Sequence, residues 1–260
     1  MESILFTIES GVAFITMNRP DKLNSFNRIM ALQLQTILDQ CATDDSIRAI
    51  YLTGAGKGFC AGQDLAEVVD PEGPGMQRIL SEHYNPIVQR LRDIAKPIVG
   101  AVNGVAAGAG ANIAFACDVV VSKSSASFIQ AFSKIGLIPD SGGTFTLPRL
   151  IGIQRASALM MLGDKVSAAE ALHMGMLYKV FEDEIFETES KKIALQLAQM
   201  PTKALGFIKQ ALNASATNDI TTQLALEDEL QQKAAATADF KEGVDAFLAK
   251  RAPQYKGQYP

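Results

Sequence analysis

Residues 97–122, "PIVGAVNGVAAGAGANIAFACDVVVS", decide how the chain folds. The stretch opens on an apolar run, passes through a turn of glycine and alanine, continues as a small-residue segment and closes on a second β-branched run. Asn103, Asn112, Asp118 and the repeated glycines interrupt it too often for a membrane span. A strand, a tight turn, a short helix and another strand account for it. Apolar runs without alternation belong to strands buried on both faces, and Gly and Ala let a helix lie close upon them.

The same alternation extends outward in both directions. "IRAIYLTG" (47–54) reads as a buried strand ending in a glycine-rich loop, and "ILFTIESGVAFITMN" (4–18) as two β-runs joined at Glu9-Ser10-Gly11, a hairpin signal. From Phe26 to Cys41, Ile29, Leu32, Leu34, Ile37 and Leu38 recur at helical spacing. "DPEGPG" (70–75) breaks the chain before a helix over 77–93. Past Ile151 the character turns helical: "SAAEALHMG" (167–175) carries a capping box at Ser167 and Glu170, and helices are expected over 185–200, 202–213 and 219–248, the last broken at Thr237-Ala238-Asp239. No internal repeat or low-complexity tract is apparent. The expectation is an α/β fold with crossovers, its core over residues 1–200, followed by a helical region over 201–260 of the kind that packs on a partner subunit.

Composition narrows the function. Of 260 residues, 48% are hydrophobic and 20% charged, which is a globular balance. A net charge of −4 argues against a nucleic-acid surface, which needs a basic face. The cysteines Cys41, Cys60 and Cys117 are odd in number and form no CxxC pair, so reduced thiols in a cytoplasm are expected, with Cys60 a packed thiol. The first residues lack the basic and apolar regions of a signal peptide, and no metal-ligand pattern stands out.

Two glycine-bearing turns, "GKGFCAGQDL" (56–65) and "NGVAAGAGAN" (103–112), each follow a strand. If they face one another they can aim two backbone N–H donors at one oxygen, an oxyanion hole; neither has a phosphate-loop or dinucleotide spacing. The decamer "GLIPDSGGTF" (136–145) places Asp140 between a proline and two glycines. By itself that pattern fits a turn or helix cap. Beside an oxyanion hole it fits a base, with Phe132, Ile135, Leu137 and Ile138 as a desolvating lining.

The motifs "FCAGQDL" (59–65), "AVNGVAAGAGANIAFACDVV" (101–120) and "FSKIGLIPDSGGTFTLPRLIG" (132–152), in this order, resemble the enoyl-CoA hydratase/isomerase (crotonase) superfamily. The likeness runs from "NRPDKLNSFN" (18–27) to "DFKEGVDAFLAKR" (239–251). It implies a spiral core of ββα turns with a helical C-terminal region, a homotrimer or dimer of trimers, and an acyl-CoA thioester substrate, with coenzyme A entering as part of the substrate and no resident cofactor. It places the oxyanion donors on Ala61 and Ala109, beside Gly108, and adenine contacts around Ala61, Gln63, Asp64 and Leu65. Hydratases of the superfamily carry two glutamates at the positions held here by Asn112 and Phe132, and neither residue transfers protons near neutral pH. Asp140 matches the catalytic aspartate of some isomerases. Within the superfamily the stretches "LTGAGKGFCAGQDL" (52–65), "YNPIVQRL" (84–91) and "AFSKIGLIPDSGGT" (131–144) most resemble the ring 1,2-epoxyphenylacetyl-CoA isomerases of bacterial phenylacetate degradation.

The expected activity is therefore a one-base shift of a double bond in an acyl-CoA. Asn112, Phe132 and Tyr84 are expected to line the acyl site, and Lys209 and Lys250 to reach the phosphates of coenzyme A. An enoyl-CoA hydratase, a non-catalytic CoA- or RNA-binding homologue and a dehalogenase-like use of the aspartate as nucleophile are the alternatives. The last lacks a matching histidine base.

Overall fold

Ser10 and Gly11 both adopt positive φ (51° and 77°), the geometry of a two-residue hairpin turn. They join β1 (Ile4–Glu9) to β2 (Val12–Met17) in an antiparallel pair whose register runs from Ile4 opposite Met17 to Glu9 opposite Val12. This hairpin edges the larger of two sheets in the computed structural model, which describes residues 2–257. The other strands are β3 (Ala49–Gly54), β4 (Gly58–Cys60), β5 (Ile98–Val102), β6 (Val105–Ala107), β7 (Val119–Lys123), β8 (Ser127–Ile129), β9 (Lys165–Ser167) and β10 (Lys179–Phe181). One sheet has the order β1-β2-β3-β5-β7-β10 and the other β4-β6-β8-β9.

From β3 onward the chain steps between the sheets. Three strands of the larger sheet are each followed by a short strand of the smaller one and then by helix: β3, β4 and α2–α4 (Leu65–Val68, Gly75–Arg78, Asn85–Asp93); β5, β6 and α5 (Ala109–Phe115); β7, β8 and α6–α7 (Gly143–Ile151, Ile153–Leu162), whereas β10 leads straight into helix. This is a ββα spiral. The sequence shows no repeat because the turns share only a pattern of burial. Along β3 and β5, Ile50, Leu52, Ile98 and Val102 face the main core, while Ala49, Tyr51, Val99 and Ala101 face α9 (Phe186–Ala198). Both faces are covered, which is why these strands read as unbroken apolar runs.

Local capping follows the sequence closely. Asn27 caps α1 (Arg28–Thr43) by accepting the Met30 N–H, and Ser167 with Glu170 forms the capping box of α8 (Ala168–Met174). Asp219 and Thr237 cap α11 (Ile220–Ala235) and α12 (Ala238–Leu248), so the expected break falls at Thr237. The helix expected over 77–93 differs: Ile79–Tyr84 is π-helical, with the Asn85 N–H donating to Leu80 O five residues back. Pro86 causes this, because it has no N–H for the carbonyl of Glu82 and its ring crowds that carbonyl. The Gln35 amide donates to Glu82 O at 2.7 Å instead.

After α9, α10 (Thr202–Ser215) returns against α4, α11 packs on α10 and α12 on α11. Arg48 ties this region to the start of β3 by donating to Thr202 Oγ1, Met200 O and Tyr255 O. No helix among the described residues is long and apolar enough to cross a membrane.

Candidate active site

The two glycine-bearing turns meet backbone against backbone. A methyl group on Gly110 would stand 2.2 Å from Cys60 O, and one on Gly62, which adopts φ 91°, would stand 3.1 Å from Ala107 O. Only glycine permits this approach, and it brings the 61–65 turn against the N-terminus of α5. Ala109 is the first residue of α5, where a helix leaves its N–H groups without internal partners.

The structure corrects one donor. The Ala61 N–H donates to Leu23 O at 2.9 Å and is not free for a ligand. Two residues on, the turn pairs with Phe26 through the Gly62 carbonyl and the Asp64 N–H, which leaves the Gln63 N–H out of the pairing. Gln63 and Ala109, not Ala61 and Ala109, carry the N–H groups with no hydrogen-bond partner among the described residues. The Gln63 side chain is itself clamped: Tyr84 Oη donates to its Oε1 at 3.0 Å, and its Nε2 donates to Glu67 Oε2 at 2.8 Å. Tyr84, expected to line the acyl site, is fully buried at the end of the π-helical segment and serves that clamp instead.

Asp140 does not cap a helix. Gly142 is the N-cap of α6, and Asp140 contributes only its main-chain carbonyl, which accepts from Gly143 N at 2.9 Å. Its half-buried carboxylate accepts one side-chain hydrogen bond, from Ser141 Oγ at 2.8 Å. Burial raises its pKa above the usual carboxylate value, against the opposing pull of the Ser141 hydroxyl and its own N–H. The Tyr84 phenol has its pKa raised chiefly by burial, with a smaller contribution from the Asp140 charge.

Other expected contacts rearrange. Asn112 is buried with both ends of its amide engaged inside the protein, its Nδ2 donating to Asp140 O and its Oδ1 accepting from Gln130 Nε2, each at 2.8 Å, so it is not presented to substrate. Phe132 is buried with its ring 3.7 Å from where a methyl on Gly108 would lie, and Gly108 opens α5 at φ 54°. Ile135, Leu137 and Ile138, expected to line the base, are exposed, Ile138 to 81%. Asp64 caps α2 and pairs with Arg19 at 2.8 Å. Burial acts to raise its pKa, but the Arg19 hydrogen bond, the Ala66 N–H and the Arg19 and Lys22 charges outweigh that and hold it below the usual value. Leu65 is exposed beside it.

Lys209 cannot reach a coenzyme phosphate. Only 6% exposed, it donates to Leu91 O at 2.6 Å and Asp118 Oδ2 at 2.9 Å, fastening α10 to the core. Lys250 is exposed just beyond α12. Sequence reasoning also missed Asn24, fully buried at φ 56°, whose amide donates to Ala55 O and Gly58 O and accepts the Arg19 N–H. The thiols of Cys41, Cys60 and Cys117 are buried and free, with pKa values pushed up to about 12 mainly by burial. That is the character of packing, not of nucleophiles. No cluster of three or more metal-ligating side chains occurs among the described residues.

A spiral of ββα turns with two facing glycine-bearing turns defines a class, and comparison with known proteins places the chain in it. The family model described as enoyl-CoA hydratase/isomerase matches residues 7–258, and the chain belongs to that family. It is 51% identical over 261 residues to the 1,2-epoxyphenylacetyl-CoA isomerase of Escherichia coli (strain K12), covering 99% of this chain and 100% of that protein. It is 36% identical to the trans-2-decenoyl-[acyl-carrier-protein] isomerase of Streptococcus mutans, with 99% of each chain covered. The crystal structure of an enoyl-CoA hydratase from Bacillus anthracis superposes with a TM-score of 0.91 at 32% identity, covering 98% of this chain and 100% of that one.

Proposed function

We propose that the protein is an acyl-CoA isomerase that converts 1,2-epoxyphenylacetyl-CoA to the oxepin-CoA or shifts a Δ3 double bond of an enoyl-CoA to Δ2. The observation that carries this reading is the half-buried carboxylate of Asp140, on a turn that Asn112 binds to α5, the helix whose first N–H, at Ala109, is unpaired among the described residues, with Asn112 and Phe132 where a water-adding pair of glutamates would stand. Similarity over the full length to an isomerase of that name supports it.

The chemistry needs little else. The thioester oxygen lies between the Gln63 and Ala109 N–H groups, which stabilise the enolate as charge develops, by roughly 3–4 kcal/mol per donor. Asp140 takes the C2 proton and returns it at C4, or at the vinylogous carbon of the ring system once the epoxide has opened to its oxepin form. The substrate's own π-system supplies the electron sink, so the reaction calls for no resident cofactor. A base with a raised pKa gives the returning proton a closer match to the carbon acid.

The same reading includes a homotrimer or dimer of trimers, supported by the apolar surface at Ile135, Ile138, Phe145, Ile153, Met161 and Phe247. The helices from residue 201 are the region proposed for subunit contacts, and Lys250 the cation that meets the coenzyme phosphates. Three free thiols fit a cytoplasmic setting.

Incubating a 3-enoyl-CoA in deuterated water with the protein and with Asp140→Asn tests the proposal by NMR. Double-bond migration is expected from the wild type, with the C2 hydrogen carried to C4 and deuterium entering C4 only as far as the proton on Asp140 exchanges with solvent, and a rate at least ~10²-fold lower from the variant. Equal rates would overturn the reading. Crotonyl-CoA is expected to remain almost unhydrated.

A further inference from the structure

Asn112 stands one helical turn after Ala109 on α5, yet its amide faces the turn that carries Asp140. The orientation of that amide is forced. The main-chain carbonyl of Asp140 only accepts, so the Asn112 nitrogen must face it, at 2.8 Å; the Asn112 oxygen then faces Gln130, which must offer its own nitrogen, at 2.8 Å. Gln130 is 4% exposed, and its remaining oxygen stays in the interior with no partner among the described residues. An orphaned acceptor is a cost that a merely space-filling residue would not incur. Gly143 completes the arrangement, because a methyl there would lie 2.3 Å from the Asn112 nitrogen.

The turn held in this way is strained. Ser141 adopts φ 52° and Gly142 φ 73°, and a non-glycine residue in that region persists only where its surroundings insist on it. Two donors, Asn112 Nδ2 and Gly143 N, converge on the Asp140 carbonyl and fix the peptide plane from which the carboxylate projects. Because Asn112 shares α5 with Ala109, one rigid element sets the positions of the oxyanion donor and of the base.

Resting on the isomerase reading above, we propose that Asn112 is a positioning residue that holds the Asp140 carboxylate at a set distance from the Ala109 N–H, acting through the Asp140 main chain and not on the substrate. A fixed near-attack geometry is worth much in rate: displacement of a reacting group by about 1 Å costs on the order of 10²-fold. The residue at this point of the spiral thus does mechanical work for a one-base reaction.

The test is a double-mutant cycle on 3-enoyl-CoA isomerisation with Asn112→Ala, Asp140→Asn and the pair. Asn112→Ala is expected to lower kcat by about 10- to 100-fold while KM stays within about threefold, and to add no further loss in the Asp140→Asn background. Gln130→Ala, which removes only the outer support, is expected to lower kcat by about 3- to 10-fold in the same direction and keeps the test open if Asn112→Ala does not fold. Unchanged kcat in the folded variants would overturn the proposal. So would a raised KM with kcat retained, or losses that add fully to that of Asp140→Asn, since either shows direct contact with substrate. A wild type that isomerises neither the 3-enoyl-CoA nor 1,2-epoxyphenylacetyl-CoA overturns the isomerase reading itself, which distinguishes the two failures.

Discussion

Two aspartates sit at glycine-bearing turns of the same site, and the structure treats them in opposite ways. Asp64 accepts from Arg19 and from the Ala66 N–H, and its pKa lies below the usual value. Asp140 is half-buried with no ion-pair partner among the described residues, has one hydroxyl partner, and its pKa is raised. The sequence offers a similar local signal for both, an Asp two residues from a glycine, Gly62 before Asp64 and Gly142 after Asp140. The difference lies in what packs against each, and it separates a carboxylate that holds structure from one kept ready to exchange a proton.

The largest expected effect breaks that symmetry outright. Asp140→Asn removes the base and is expected to cost at least ~10²-fold in isomerisation, whereas Asp64→Asn should keep kcat within about tenfold, both read by steady-state kinetics. Stability should move the other way. A carboxylate whose folded pKa lies above its unfolded value favours the fold only at low pH and disfavours it once ionised. Asp140→Asn is therefore expected to raise Tm at pH 7 by roughly 2 °C. For Asp64 the folded pKa lies below the unfolded one, so its contribution is present above the unfolded value and fades as pH falls through the folded value. Asp64→Asn should destabilise by about 1–3 kcal/mol at pH 7, shrinking in acid; denaturant unfolding at several pH values checks the sign.

How much of this was legible beforehand depends on the range of the interaction. Hairpin and caps are local, and Ser10-Gly11, Ser167 with Glu170, the helix start at Asp219 and the break at Thr237 act where the sequence places them, while Asn27, inside the helical pattern that runs from Phe26, is the cap of α1. The π-helical segment needed Gln35 to satisfy a carbonyl freed by Pro86, and no window around Pro86 contains Gln35. The motif alone points to Ala61 as a donor, but its N–H is fixed by Leu23, far away in the chain. Lys209, expected at the coenzyme phosphates, lies instead with Gly206 and Asn213 on one helical stripe that the core side of α10 uses. Asn24, between Leu23 and a buried serine, showed in the sequence only as part of a family motif; its left-handed backbone is a tertiary outcome.

Smaller substitutions sharpen the contrast. Tyr84→Phe removes the hydroxyl that holds Gln63 and is expected to lower kcat by about 3- to 10-fold, with the fold retained by circular dichroism. Ser141→Ala removes the hydrogen bond that favours ionised Asp140, so its pKa should rise further. The acid limb of the kcat/KM profile, below which the base is protonated and idle, should then move to higher pH by about one unit or less.

The central claim is tested most directly by a crystal structure with a bound, unreactive acyl-CoA analogue. The thioester oxygen is expected within about 3.1 Å of both the Gln63 and the Ala109 nitrogen, with an Asp140 carboxylate oxygen facing C2 of the acyl chain. A thioester oxygen seated away from those two amides, or an Asp140 side chain turned from C2, would contradict it.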